Sequence, residues 1–70
     1  MQTDVVIEFN GAKLDLPRGT SIRDVLAQAE MRTRLVAVEL NGEIVPWERF
    51  EITKLNNGDI VEAVTLVGGG

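Results

Sequence analysis

The residues with the most specific chemistry stand together at the end of the chain, as Val67-Gly68-Gly69-Gly70. Three successive glycines carry no Cβ, so this stretch can thread a channel too narrow for any side chain. Four extended residues from Val67 reach about 13 Å, at roughly 3.3 Å each. The reactive group would be the α-carboxylate of Gly70. A carboxylate is ionised at neutral pH and is a poor electrophile. Adenylation turns it into a mixed anhydride, whose carbonyl carbon a sulfur nucleophile can attack. Glycine, with no side chain, hinders that attack least. The chain has no phosphate-cradling G-x-x-x-x-G-K-[ST] loop of its own. Activation would therefore come from a second protein. The same residues also read as an inert, flexible end, and their types alone leave both readings open.

Composition removes most other chemistry. The sequence of 70 residues contains no cysteine and no histidine. Disulfides are excluded, as are the thiolate and imidazole ligands of structural zinc and any nucleophile–histidine pair. Glu8, Asp59 and Glu62 are scattered over strand and turn positions, where acids are usually solvated or, at Asp59, turn-stabilising. Thr20 and Ser21 read as helix caps rather than nucleophiles. No enzyme activity, metal or cofactor is expected. The net charge is 7 − 11 = −4, and the five arginines, Arg18, Arg23, Arg32, Arg34 and Arg49, are dispersed. A nucleic-acid partner needs a basic stripe, so the charge disfavours it. An acidic domain suits a protein with a basic docking surface. Nothing approaches a transmembrane helix and no signal peptide opens the chain, so a cytoplasmic protein with no membrane partner is expected.

The elements that must carry the tail follow from periodicity. Asp4 to Phe9 reads as a strand with Val5, Ile7 and Phe9 on one face. Asn10-Gly11 is a hairpin signal, because a type I′ turn needs positive φ at both positions. Lys13 to Leu16 returns, and Pro17 and Gly19 end it. Ser21 with Asp24 three residues on forms an S-x-x-D variant of the capping box, and Thr20 is an alternative cap. Ile22, Val25, Leu26 and Ala29 form one apolar helical stripe, and the helix is expected to end near Met31. Leu35 to Leu40 is a strand apolar enough to be central. Asn41-Gly42 repeats the turn signal, Glu43 to Val45 returns, and Pro46 stops it. Trp47 to Leu55 is irregular with room for one helical turn, Trp47 and Phe50 capping one end of the core. Asn56 to Asp59 is a tight turn, and Ile60 to Leu66 is the last strand.

Two hairpins thus flank one helix, and a fifth strand follows. Packing the helix stripe on one face of a mixed five-stranded sheet, with first and last strands parallel at its centre, gives an α+β fold of the β-grasp, or ubiquitin-like, kind. Residues 1–66 would form this single domain and 67–70 a flexible glycine tail.

Alternation in the last strand points Val61, Ala63 and Thr65 one way and Glu62, Val64 and Leu66 the other. The charge of Glu62 marks its face as the solvent side. Glu39 does the same for the middle strand and takes Leu35 and Ala37 with it. Leu35, Ala37, Val64 and Leu66, with Val67, would then form an exposed apolar patch beside the tail, of the kind that marks a protein interface.

Three segments carry a resemblance to a known family: Val36-Ala37-Val38-Glu39-Leu40-Asn41 with Glu43-Ile44-Val45-Pro46; Asn57-Gly58-Asp59-Ile60-Val61-Glu62; and Val67-Gly68-Gly69-Gly70. Together, and over nearly the whole chain, the sequence resembles the ThiS sulfur carriers of thiamin thiazole biosynthesis, within the ThiS/MoaD-like ubiquitin-like group. The resemblance implies a protein co-substrate rather than an enzyme. An E1-like enzyme, ThiF, would adenylate the terminal glycine. A cysteine desulfurase system would supply sulfur to form a thiocarboxylate, and the thiazole synthase ThiG would consume it. Carried over, the acyl-adenylate and thiocarboxylate site is Gly70, with Gly68 and Gly69 threading the tail. The small subunit of molybdopterin synthase shares fold and tail, but its usual Pro-Pro-Val-x-Gly-Gly pattern is missing here, where Val64-Thr65-Leu66-Val67 stands. A non-covalent ubiquitin-like interaction module with an inert tail is the remaining alternative.

Overall fold

The computed structural model describes residues 4–31 and 35–66. Strand β1 (Asp4–Phe9) and strand β2 (Ala12–Pro17) form an antiparallel hairpin. Asn10 and Gly11 join them with φ of +49° and +87°, the two positive angles of a type I′ turn. The two-residue loop fixes the register, pairing Val5 with Leu16 and Ile7 with Leu14. Strands β3 (Val36–Leu40) and β4 (Glu43–Val45) repeat the design around Asn41 and Gly42, at +53° and +87°. Strand β5 (Ile60–Thr65) lies between the hairpins, parallel to β1 and antiparallel to β3. The order across the sheet is β2-β1-β5-β3-β4. The β-grasp arrangement expected from the element order is therefore the observed one.

One face of the sheet is covered by helix α1 (Ile22–Gln28). Its Ile22, Val25 and Leu26 are buried against Val5 and Ile7 of β1, Val38 of β3 and Val61 of β5, all in one core cluster. Phe50 and Leu55, from the long connection between β4 and β5, complete it. The first turn of the helix is fully bonded. Ser21 Oγ accepts from the Asp24 N–H and Asp24 Oδ2 accepts from the Ser21 N–H, each at 3.1 Å. This is a capping box closed by Asp in place of Glu. The remaining early donors reach the connection: the Ile22 N–H donates to the Thr53 carbonyl at 3.0 Å and the Arg23 N–H to the Phe50 carbonyl at 3.2 Å. The orphan amides of a helix start thus fasten the irregular segment to the core. Thr20 is not the cap; its hydroxyl donates to the Pro17 carbonyl at 2.7 Å.

Two expectations need correction. The helix stops at Gln28, not near Met31, and Ala29 is its exposed C-cap. Glu30 turns left-handed at φ +59°. Its N–H donates to the Ala27 carbonyl and the Met31 N–H to the Leu26 carbonyl, which is the Schellman arrangement. Met31 then folds back onto the core. The second correction is Trp47, which opens a 3-10 turn (Trp47–Arg49) and is 46% exposed, while Phe50 alone enters the core. Thr65 keeps the side of Val61 and Ala63, opposite buried Val36, but is exposed at the last position of β5.

Candidate functional site

The site is built on β5, because β5 leads into the glycine segment. Val67, Gly68, Gly69 and Gly70 themselves lie outside the described residues. What is described is the root from which they depart and the surface beside it.

The two flanks of that root are held differently. Toward β3 the antiparallel ladder continues to the end of the strand. Ala37 pairs with Val64, and the Leu66 N–H donates to the Leu35 carbonyl at 2.6 Å. Toward β1 the parallel ladder has only two registered pairs, Glu8 with Ile60 and Phe9 with Val61. There β1 turns away. The ladder is continued by Asn10, whose N–H donates to the Val61 carbonyl at 2.9 Å. Its side chain then does the work of the missing residue. Asn10 Oδ1 accepts from the Ala63 N–H at 2.8 Å and Asn10 Nδ2 donates to the Ala63 carbonyl at 3.1 Å.

Asparagines also secure the start of the strand. Asn57 Oδ1 accepts from the Val6 N–H, and the Gly58 N–H donates to the Val6 carbonyl, both at 2.8 Å. Asp59 acts as a turn residue, as its position suggests. Its carboxylate accepts from the Asn56 N–H at 2.7 Å and from Asn41 Nδ2 at 3.0 Å. Among the described residues no group of acids could hold a metal ion.

The outer face carries the apolar patch. Val61 and Ala63 are buried under the helix side, whereas Val64 is 61% and Leu66 64% exposed. Leu35, just before β3, is 37% exposed, and Ala37 is half-buried beside Val64. All four patch residues that the structure describes therefore meet on one surface at the tail end of the sheet. Sequence reasoning missed a fifth, Ile44 of β4, which is 68% exposed. Its signal was present: a two-residue Asn41-Gly42 turn sets Leu40 opposite Glu43 and so Glu39 opposite Ile44. Ala37, Glu39, Ile44, Glu62 and Val64 line a shallow depression of about 120 Å³. Glu39 and Glu62 are direct cross-strand partners. Like charges so placed are mildly destabilising, and they give the patch an acidic centre.

The described surface is thus an apolar area with a negative middle at the end of β5. Among the described residues no helix is long and apolar enough to cross a membrane.

Comparison with known proteins agrees over the full length. The ThiS family profile matches residues 4–70. The sulfur carrier protein ThiS of Bacillus subtilis is 35% identical over 66 residues, covering 93% of this chain and 100% of that one. A thiazole synthase of Paramagnetospirillum magneticum contains a stretch 34% identical over 62 residues, which is 89% of this chain but only 19% of the synthase. The crystal structure of the thiamine biosynthesis protein ThiS from Geobacter metallireducens superposes with a TM-score of 0.78 at 29% identity, covering 94% of this chain and 100% of that one. With a β-grasp body, an outer apolar patch at the root of a glycine segment and a match along its whole length, this chain belongs to the ThiS family.

Proposed function

We propose that the protein is a sulfur carrier of thiamin biosynthesis that holds sulfur as a thiocarboxylate on Gly70. The observation that carries the reading is the exit of β5: the central strand ends beside an exposed apolar patch and runs directly into Val67-Gly68-Gly69-Gly70. The ThiS name of the Bacillus relative supports it.

In this reading residues 1–66 are the body and 67–70 the tail that enters a partner's active site. A ThiF-like adenylating enzyme docks on Leu35, Ala37, Val64, Leu66 and Val67. An oxygen of the Gly70 carboxylate attacks the α-phosphate of ATP, and pyrophosphate leaves. Sulfide, released from the persulfide of a cysteine desulfurase system by two electrons from a thiol reductant, then attacks the Gly70 carbonyl carbon. The C–O bond of the mixed anhydride breaks, AMP leaves, and the thiocarboxylate remains. Gly68 and Gly69 let the tail pass without side-chain clashes. The acceptor is a thiazole synthase of the ThiG kind. The Paramagnetospirillum synthase supports this choice, since a domain like this one forms part of its own chain. The setting is the cytoplasm.

The test is the mass of a C-terminal fragment. The protein is incubated with a ThiF-like enzyme, ATP and a sulfur source, and cleaved after Lys54. The fragment Leu55 to Gly70 contains no methionine or cysteine, so oxidation cannot mimic the change. Exchange of one oxygen for one sulfur on that fragment is expected. An unmodified fragment, with an enzyme active on another carrier, would return the protein to the class of non-covalent interaction modules.

A further inference from the structure

Asn10 holds β5 by more than its place in the turn. Asn10 is needed in the type I′ turn because it tolerates positive φ, and glycine would serve that purpose equally. The turn therefore does not explain the carboxamide. The carboxamide makes two bonds to a residue 53 positions away, Ala63. Ala63 is buried, so its peptide groups have no water to fall back on. Asn10 is the last residue to hold β5 on its β1 flank among the described residues. Beyond it the strand is held only by β3, through Ala37 and Leu35.

We propose that Asn10 is a positioning residue for the chemistry of the tail: by clamping the Ala63 peptide it fixes the course of β5 at the patch from which the tail departs. The inference rests on the sulfur-carrier reading and deepens it. Docking and tail entry must be satisfied together, because Val64 and Leu66 lie only a few residues before the reacting carbonyl. Slack in β5 at Ala63 shifts Val64 and Leu66, and with them the point from which the flexible tail starts. Reactions that depend on a held geometry lose roughly a hundredfold for a misplacement of about 1 Å. The clamp acts at the root of the tail, so its loss shows in the turnover of docked carrier more than in the docking itself.

The test uses Asn10→Gly, which keeps the turn conformation and removes only the carboxamide. Its control is Ser21→Ala, which loses a cap bond at the helix start, away from Ala63. Steady-state adenylation and sulfur transfer to the Leu55 to Gly70 fragment are measured for both and for the wild type. Amide hydrogen exchange at Ala63 and Thr65 is measured on each free protein. Asn10→Gly is expected to lower kcat by roughly tenfold while KM changes less than about twofold, as for a geometry error after docking. Exchange at Ala63 should accelerate in Asn10→Gly beyond that variant's global loss of stability, whereas in Ser21→Ala it should only track that loss, and Ser21→Ala should keep the wild-type kcat. Wild-type kcat in Asn10→Gly would overturn the proposal, as would an equal fall in Ser21→Ala, which would make the effect one of stability. Unchanged exchange at Ala63 would remove the clamp itself. If the wild type is never modified, the sulfur-carrier reading fails, and this inference falls with it.

Discussion

Asn41 and Ile60 exchange two hydrogen bonds, and only one of them is backbone to backbone. The Asn41 N–H donates to the Ile60 carbonyl at 2.8 Å, and the Ile60 N–H donates to Asn41 Oδ1 at 2.8 Å. A turn residue of the second hairpin thereby starts the central strand. Asn41→Gly keeps the turn, whose φ of +53° glycine adopts freely. It removes the acceptor of Ile60 and the donor to Asp59. A loss of about 1–2 kcal/mol is expected, the usual range for surrendered hydrogen bonds. Urea unfolding with an unchanged m-value would measure it.

Glu30 is an L-residue in a position that favours glycine. A left-handed conformation costs such a residue roughly 1–2 kcal/mol. Glycine gives back about 0.5–1 kcal/mol through its freer unfolded chain. Glu30→Gly is thus expected to stabilise the protein by about 0.5 kcal/mol, or roughly 2–4 °C in Tm. Calorimetry on the two proteins decides it, and a fall in Tm would refute the Schellman reading of this helix end.

The capping box makes stability depend on acid. Asp24 is held below its ordinary value of 3.8, first by the Ser21 backbone N–H and then by the Ser21 hydroxyl. A depressed carboxyl stabilises the fold above its unfolded pKa, and that contribution disappears as pH falls through the lower folded value. Wild-type stability should therefore drop below about pH 4. Asn at position 24 should be less stable at pH 7 and show a shallower acid limb. Ser21→Ala should lose about 1 kcal/mol at neutral pH. Thermal melts from pH 2 to 7 measure all three.

Val64 separates docking from folding. Its side chain is mostly exposed, so Val64→Asp should alter stability by less than about 1 kcal/mol. It places a charge in the apolar patch, beside Ala37. Modification of Gly70 by an adenylating enzyme should fall about tenfold or more at subsaturating carrier, equivalent to about 1.4 kcal/mol of lost complex. Titration of carrier against enzyme should show the change in KM. Equal KM values for variant and wild type would move the docking surface elsewhere.

Much of this architecture is legible in the residue order, for reasons that differ along the chain. Asn10-Gly11 and Asn41-Gly42 announce their turns because few other pairs accept two positive φ angles. Ser21 and Asp24 announce the helix start because capping needs those atoms at that spacing. The helix end is silent, since Glu30 occupies a place where glycine would have marked it. Trp47 is ambiguous by nature, as a large aromatic suits a core or a half-exposed turn. The outer apolar patch follows from alternation once Glu39 and Glu62 mark the outer face, but Ile44 needed the register of the second hairpin. The roles of the Asn10, Asn41 and Asn57 carboxamides could not be read, because each reaches a residue distant in sequence and its turn role already sufficed. The glycine run is plain in the residue order, while the gathering of Leu35, Ala37, Val64 and Leu66 on one surface is a property of the folded sheet.

The position of β5 also orders the birth of the molecule. It is the last strand to leave a ribosome, yet it lies between the two hairpins, which do not pair with each other. Until it emerges, β1–β2 and β3–β4 are separate ribbons that no shared sheet unites. A chain cut short before Ile60 thus lacks both the centre of the sheet and the residues beyond it. Completion of the fold waits for Ile60–Thr65, so a partner that recognises the assembled outer face meets only chains that have already acquired β5.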